Sequence, residues 1–159
     1  MLIATRSGKI NISKEKDTRL VAERLSKLIN LGDFILLTGN LGVGKTTFTK
    51  YIINSLQRIN RQAISEVPSP TFNITNEYQI KKILIKHYDL YRIKNEKELN
   101  NLGIQENLKK QITLVEWPEM VKKLKIKNII SLIFKYNKNY TERYLTIISK
   151  NKKLINEFK

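Results

Sequence analysis

From Phe34 to Leu37 every side chain is apolar, and the run continues through Thr38 into Gly39. A continuous apolar stretch this short, closed by a glycine, predicts a strand buried on both faces. Upstream, Ile10 to Ile12 predicts a first strand, with Ser13 placed to cap a helix. Leu20, Val21, Leu25, Leu28 and Ile29 then recur at helical spacing until Gly32. Downstream, Phe48, Ile52 and Leu56 mark the inward face of a helix from Lys45 to about Leu56. The period changes after two prolines. Phe72, Ile74, Asn76, Tyr78 and Ile80 alternate with Thr71, Asn73, Thr75, Glu77 and Gln79, the two-residue repeat of a strand with one wet face, and Ile83 to Asp89 reads as its hairpin partner. Glu96 to Lys110 is charged and reads as helical around Leu99, Leu102, Ile104 and Leu108, broken at Gly103. Ile112 to Val115 is a second buried strand ending at Glu116. A short helix from Pro118 to Leu124 leads to two further strands, Ile129 to Phe134 and Tyr144 to Ile148, joined through Asn137, Lys138 and Asn139.

The strand at Phe34 empties into Gly39, Asn40, Leu41, Gly42, Val43, Gly44, Lys45, Thr46 and Thr47, the phosphate-loop pattern G-x-x-x-x-G-K-[ST] between a strand and a helix. Residues without a Cβ let successive N–H groups converge on phosphate oxygens, and the helix that follows aims its N-terminus at the same anion. Lys45 brings a compact charge long enough to reach the outer phosphates, and Thr46 a hydroxyl oxygen suited to Mg²⁺. The expected architecture is an α/β, P-loop NTPase-like three-layer sandwich with a mixed parallel and antiparallel central sheet. With 159 residues, no repeat and no evident linker, a single P-loop domain over residues 1–159 is expected.

A magnesium nucleotide needs more oxygen ligands than a phosphate loop supplies, and an attacking water needs an acceptor. Glu116 ends a hydrophobic strand where ligands collect in open α/β sheets, which makes it the leading metal or water-positioning residue. In His87-Tyr88-Asp89-Leu90-Tyr91-Arg92, an extended backbone puts His87 and Asp89 on one face. Asp89 is a candidate Mg²⁺ ligand through water, and Arg92 is a candidate to offset phosphate charge or to tie down Asp89. His87 reads equally as a satisfied structural histidine. Ser69 and Thr71 flank Pro70 in a stiff loop of the kind that senses nucleotide. Thr71 is placed to bond the γ-phosphate region, with a turn-and-cap role as its rival. Trp117 either walls the site or plugs core.

Composition narrows the classes of function. Thirty Lys plus Arg against 14 Asp plus Glu give a net charge of +16, which favours phosphate-rich partners. The lysines are scattered in short groups without interleaved aromatics, so a solvated basic surface competes with a dedicated RNA contact. No cysteine is present, which excludes disulfide and thiolate chemistry, and a single histidine cannot build a zinc site. The apolar runs are too short to span a bilayer and the N-terminal stretch lacks a signal-peptide core, so a cytoplasmic protein with no membrane contact is expected.

GNLGVGKTTF at 39–48, SPTF at 69–72, HYDLYR at 87–92 and LVEWPE at 114–119, taken in this order, resemble the TsaE (YjeE-type) family of bacterial ATPases. The resemblance implies ATP and Mg²⁺ as ligands and a role in making tRNA threonylcarbamoyladenosine, with the TsaD and TsaB proteins as partners and tRNA reached through their complex. It further implies Asn40 to Thr47 around the phosphates, Thr46, Glu116 and Asp89 at the metal, and Lys45, Glu116, Asp89 and Thr71 as the catalytic set. Glu15 is implied on the adenine side, with Arg143 approaching the nucleotide. A nucleotide-gated binding module, in which hydrolysis is incidental, and a small-molecule kinase are the alternatives. Against the kinase stands the lack of an evident Arg-rich lid.

Overall fold

The computed structural model describes residues 4–159; Met1 to Ile3 of the N-terminal stretch read above lie outside it. The described elements follow as β1 (Thr5–Arg6), β2 (Ile10–Asn11), α1 (Glu15–Ser26), β3 (Phe34–Thr38), α2 (Lys45–Ile59), β4 (Thr75–Ile80), β5 (Ile83–Asp89), α3 (Glu96–Asn101), β6 (Gln111–Glu116), β7 (Ile129–Tyr136), β8 (Arg143–Ser149) and α4 (Lys152–Asn156). One sheet runs β1-β8-β7-β3-β6-β5-β4, with β2 also on β8. Its centre, β7-β3-β6-β5, is parallel, while β4 and β8 run antiparallel to their neighbours.

The central strands are buried on both faces, and their alternation divides the core in two. Ile35 and Leu37 of β3, with Leu114 of β6 and Leu132 of β7, pack under Leu25 of α1, Phe48 and Ile52 of α2 and Leu154 of α4. Phe48 meets Phe134 edge-on, ring centroids 5.5 Å apart. On the other face Phe34, Leu36, Tyr88 and Val115 pack with Leu99 of α3, Ile104 and Val121. The three layers expected from the sequence are present. Parallel pairing carries a consequence for chemistry: all four parallel strands end on the same edge. The register sets Asp89 beside Glu116 and Glu116 beside Leu37, just before the phosphate loop.

Several boundaries differ from the pattern reading. The alternating strand begins at Thr75 rather than Phe72, because the N–H of Ile74 donates to the Pro70 carbonyl and closes a turn with Ile74 at φ +67°. Phe72 is therefore 80% exposed rather than inward-facing. The Glu96 to Lys110 helix is cut to the six residues of α3, since Gly103 and Asn107 take left-handed conformations that end a helix. The segment after Pro118 makes only one 3₁₀ turn, at Val121–Lys123. Ser13 does not cap α1, whose N-cap is Lys14; its hydroxyl instead accepts the N–H of Arg143 at 2.9 Å. Leu20 lies off the inward stripe and is half exposed. The helix α4 and the two-residue β1 carry too little periodicity to be read in advance.

Candidate functional site

A cleft of about 200 Å³ opens at the edge where β3, β5 and β6 end, with Leu41, Gly42, Gly44, Lys45, Thr46, Thr47, Ser69, Thr71, Asp89, Glu116 and Trp117 around it. Its floor is the phosphate loop. Gly42 and Gly44 hold φ of +75° and +111°, conformations that a side chain makes costly, and Gly44 is the N-cap of α2, with no side chain capping the first turn. The amide donors of that turn are thus left for a ligand. Gly39 answers a different need: a Cβ there would lie 2.8 Å from the Phe134 carbonyl oxygen and 2.9 Å from Val43 Cγ1. Val43 is 1% exposed and contributes its side chain to the core rather than to the cleft.

Lys45 is buried, and its Nζ donates to the carbonyls of Gly39 at 2.7 Å and Asn40 at 3.0 Å. Asn40 meets the site through that carbonyl and does not line the cleft. The ammonium also sits 4.0 Å from the centre of the Trp117 ring. Desolvation pushes the Lys45 pKa below the ordinary lysine value, against the opposing pull of Glu116, Asp89 and Glu119. Trp117 is accordingly a wall of the site. It reaches that place by turning at φ +56° straight after β6, and it packs on Tyr91 at 4.9 Å.

The opposite wall consists of two carboxylates with every oxygen held. Glu116 Oε2 accepts the Thr46 hydroxyl at 2.9 Å, and its Oε1 accepts Nε2–H of His87 at 2.8 Å. A carboxylate only accepts, so the hydrogen bond places the ring hydrogen on Nε2. Asp89 Oδ2 accepts the Thr71 hydroxyl at 2.9 Å, and Oδ1 accepts the backbone N–H of Tyr91 at 3.0 Å. Ser69 and Thr71 share a hydrogen bond of 2.7 Å. The expected residues Lys45, Thr46, Thr71, Asp89 and Glu116 therefore meet in one place. Arg92 does not: its guanidinium lies 4.7 Å over the exposed Phe72 ring, so it neither ties down Asp89 nor lines the cleft. His87 is a partner of Glu116 rather than of Asp89, because the β5–β6 register sets it beside Leu114, one turn of the pleat short of the strand end.

A second, smaller pocket of about 150 Å³ adjoins the first across Gly44 and Thr47, lined by Ile12, Glu15, Thr18, Val43 and Arg143. Glu15 accepts a hydrogen bond from the Tyr51 hydroxyl, and Arg143 Nη2 donates to the Ser13 carbonyl at 2.7 Å. Sequence reasoning missed Ile12, Thr18 and Tyr51 here. It missed Tyr136 as well, whose hydroxyl donates to the Gly42 carbonyl at 3.0 Å and braces the loop from β7. Only Tyr51 had a signal, its place on the α2 face two turns from the loop. Among the described residues no helix is long and apolar enough to cross a membrane.

Comparison with known proteins places this geometry among relatives. A family model described as threonylcarbamoyl adenosine biosynthesis protein TsaE matches residues 12–145. The protein of that name from Rickettsia conorii is 35% identical over 141 residues, 89% of this chain and 78% of the relative. The one from Rickettsia felis is 38% identical over 113 residues, covering 71% of this chain and 64% of its own length. The one from Bacillus subtilis is 37% identical over 107 residues, 67% of this chain and 63% of the relative. The crystal structure of B. subtilis YdiB superposes with a TM-score of 0.70 over 98% of this chain and 93% of that one. At 24% identity that likeness speaks for the fold.

Proposed function

This chain belongs to the TsaE family of tRNA threonylcarbamoyladenosine biosynthesis proteins, and from that premise we propose that it acts there as a weak, Mg²⁺-dependent ATPase. On this reading it works in the cytoplasm as a single P-loop unit with TsaD and TsaB, and meets tRNA through them. The observation that carries the reading is the Thr46–Glu116 pair, a hydroxyl and a carboxylate oxygen 2.9 Å apart beside a phosphate loop. Such a hard-oxygen pair suits Mg²⁺, so the residues fit the ion. When bound, the ion would neutralise charge on the outer phosphates.

The chain's own residues divide the remaining work. Lys45 exchanges two loop carbonyls for phosphate oxygens, a change favoured by the charge it meets. Gly42 and Gly44 keep backbone N–H groups open to the same anion, with Leu41, Val43 and Thr47 completing the loop. Asp89, steadied by Thr71 and the Tyr91 amide, orients water near the cation and the γ-phosphate. Glu15 and Arg143 flank the nucleoside in the smaller pocket. Calorimetry with ATP, in the presence and absence of Mg²⁺, tests the core of this assignment. Magnesium-dependent binding is expected, and its absence removes the reading.

A second reading draws on one feature of the cleft. Lys45 is the sole cation among the described residues lining it, and Arg143 lies in the adjoining pocket instead, so the cleft itself presents no arginine to the charge of phosphoryl transfer. Hydrolysis by the chain alone is then slow, and nucleotide occupancy itself, as in a gated binding module, becomes the output. Glu116→Ala separates the two. Loss of hydrolysis with partner-dependent modification intact favours gating, whereas loss of both favours the ATPase. Turnover as fast without TsaD and TsaB as with them overturns partner stimulation.

A further inference from the structure

The geometry points to His87 as a positioning residue: we propose that its Nε2–H holds one oxygen of Glu116 so that the other is presented to Thr46 and the cation. This rests on the assignment of Glu116 to Mg²⁺ made above. His87 and Glu116 side chains are 0% and 3% exposed, and three groups are joined by consecutive hydrogen bonds, Nε2 to Oε1 at 2.8 Å and the Thr46 hydroxyl to Oε2 at 2.9 Å. Left unheld, a carboxylate facing the Lys45 ammonium can rotate onto it, and both groups are then lost to the ligand. Burial of the imidazole is costly in itself, because Nδ1 has no hydrogen-bond partner among the described residues. An aliphatic side chain of similar size would fill the same space without that penalty. The one bond the ring makes is therefore the reason for its presence, in the way that partners behind a metal ligand fix its orientation.

The test uses the whole chain and three variants, His87→Leu, His87→Gln and Glu116→Gln, each first checked for cooperative thermal unfolding. ATP binding is titrated across Mg²⁺ concentrations. His87→Leu is expected to raise the Mg²⁺ concentration for half-maximal binding by about 10- to 100-fold while affinity without Mg²⁺ stays within twofold. His87→Gln, which returns an N–H near the same point, is expected to recover most of the shift. Because His87 is the only histidine in the chain, its ring nitrogens are also read directly by NMR in the free protein. An Nε2–H tautomer whose signal moves in Glu116→Gln is expected. Equal Mg²⁺ requirements in His87→Leu, His87→Gln and the unaltered protein, an equal shift in both His87 variants, or an Nδ1–H tautomer overturns the positioning role alone. Absence of any Mg²⁺ dependence in the unaltered protein overturns the site assignment and this role with it.

Discussion

On the α2 wall of the cleft, residues Gly39 to Thr47 supply backbone donors, a lysine and a hydroxyl from a single loop. On the facing wall Asp89, Glu116 and His87 come from two strands, with the histidine and the glutamate it holds 29 positions apart. The first wall is built largely of main chain from one stretch of sequence, its lysine held by the loop's own carbonyls at Gly39 and Asn40. The second is built of side chains, and each carboxylate takes at least one hydrogen bond from a side chain distant in sequence, Thr71 for Asp89 and His87 for Glu116. The difference teaches that damage to the two walls should read out differently. On the proposed assignment, a change in the loop should alter whether phosphate is held, whereas a change in the acid wall should alter how cation and water are used.

Lys45→Met breaks the first wall most deeply. Losing a buried charge from a phosphate contact costs about 2–5 kcal/mol, so ATP affinity measured by calorimetry should fall by roughly a hundredfold or more. The same variant should unfold at a higher temperature near neutral pH. Burial lowers the folded-state pKa of Lys45, so its charge weakens the native state below that value, and the penalty fades as pH rises towards the ordinary lysine pKa. The gain of Lys45→Met over the unaltered protein should therefore shrink across that window.

Glu116→Gln sharpens the contrast, since it retains the shape of the acid wall and removes its charge. Hydrolysis and Mg²⁺ dependence should drop by about 10- to 100-fold, while Mg²⁺-free nucleotide binding holds or improves. Gly39→Ala and Gly42→Ala divide the loop itself. At Gly39 a methyl meets the Phe134 backbone at 2.8 Å, and thermal denaturation should register a loss of about 2 kcal/mol. At Gly42 the space is open and only the positive φ opposes the change, for about 1 kcal/mol. Thr71→Ala removes one bond to Asp89 and should lower stability by about 1 kcal/mol, with turnover reduced more than ATP affinity. The smallest effect belongs to Arg92→Ala, whose contact with Phe72 is exposed and worth about 0.5–1 kcal/mol. A large loss of unassisted hydrolysis in that variant would contradict the placement of Arg92 outside the cleft.

The phosphate loop, the α2 helix and the buried strands β3 and β6 were legible because each is written in neighbouring residues: glycines where φ must be positive, apolar runs where both faces are covered, and a lysine and threonine at the helix start. Glu116 was legible for the same reason, as the acid at the end of such a strand. What tertiary structure decided is pairing. The register of β5 on β6 gives His87 to Glu116, the turn closed at Pro70 turns Phe72 outward and brings Thr71 to Asp89, and Ser13 serves Arg143 across 130 residues instead of capping α1. A local pattern states which groups a segment offers. Which distant group accepts the offer depends on strand order and sheet twist, quantities shared by the whole chain and carried by no single stretch of it.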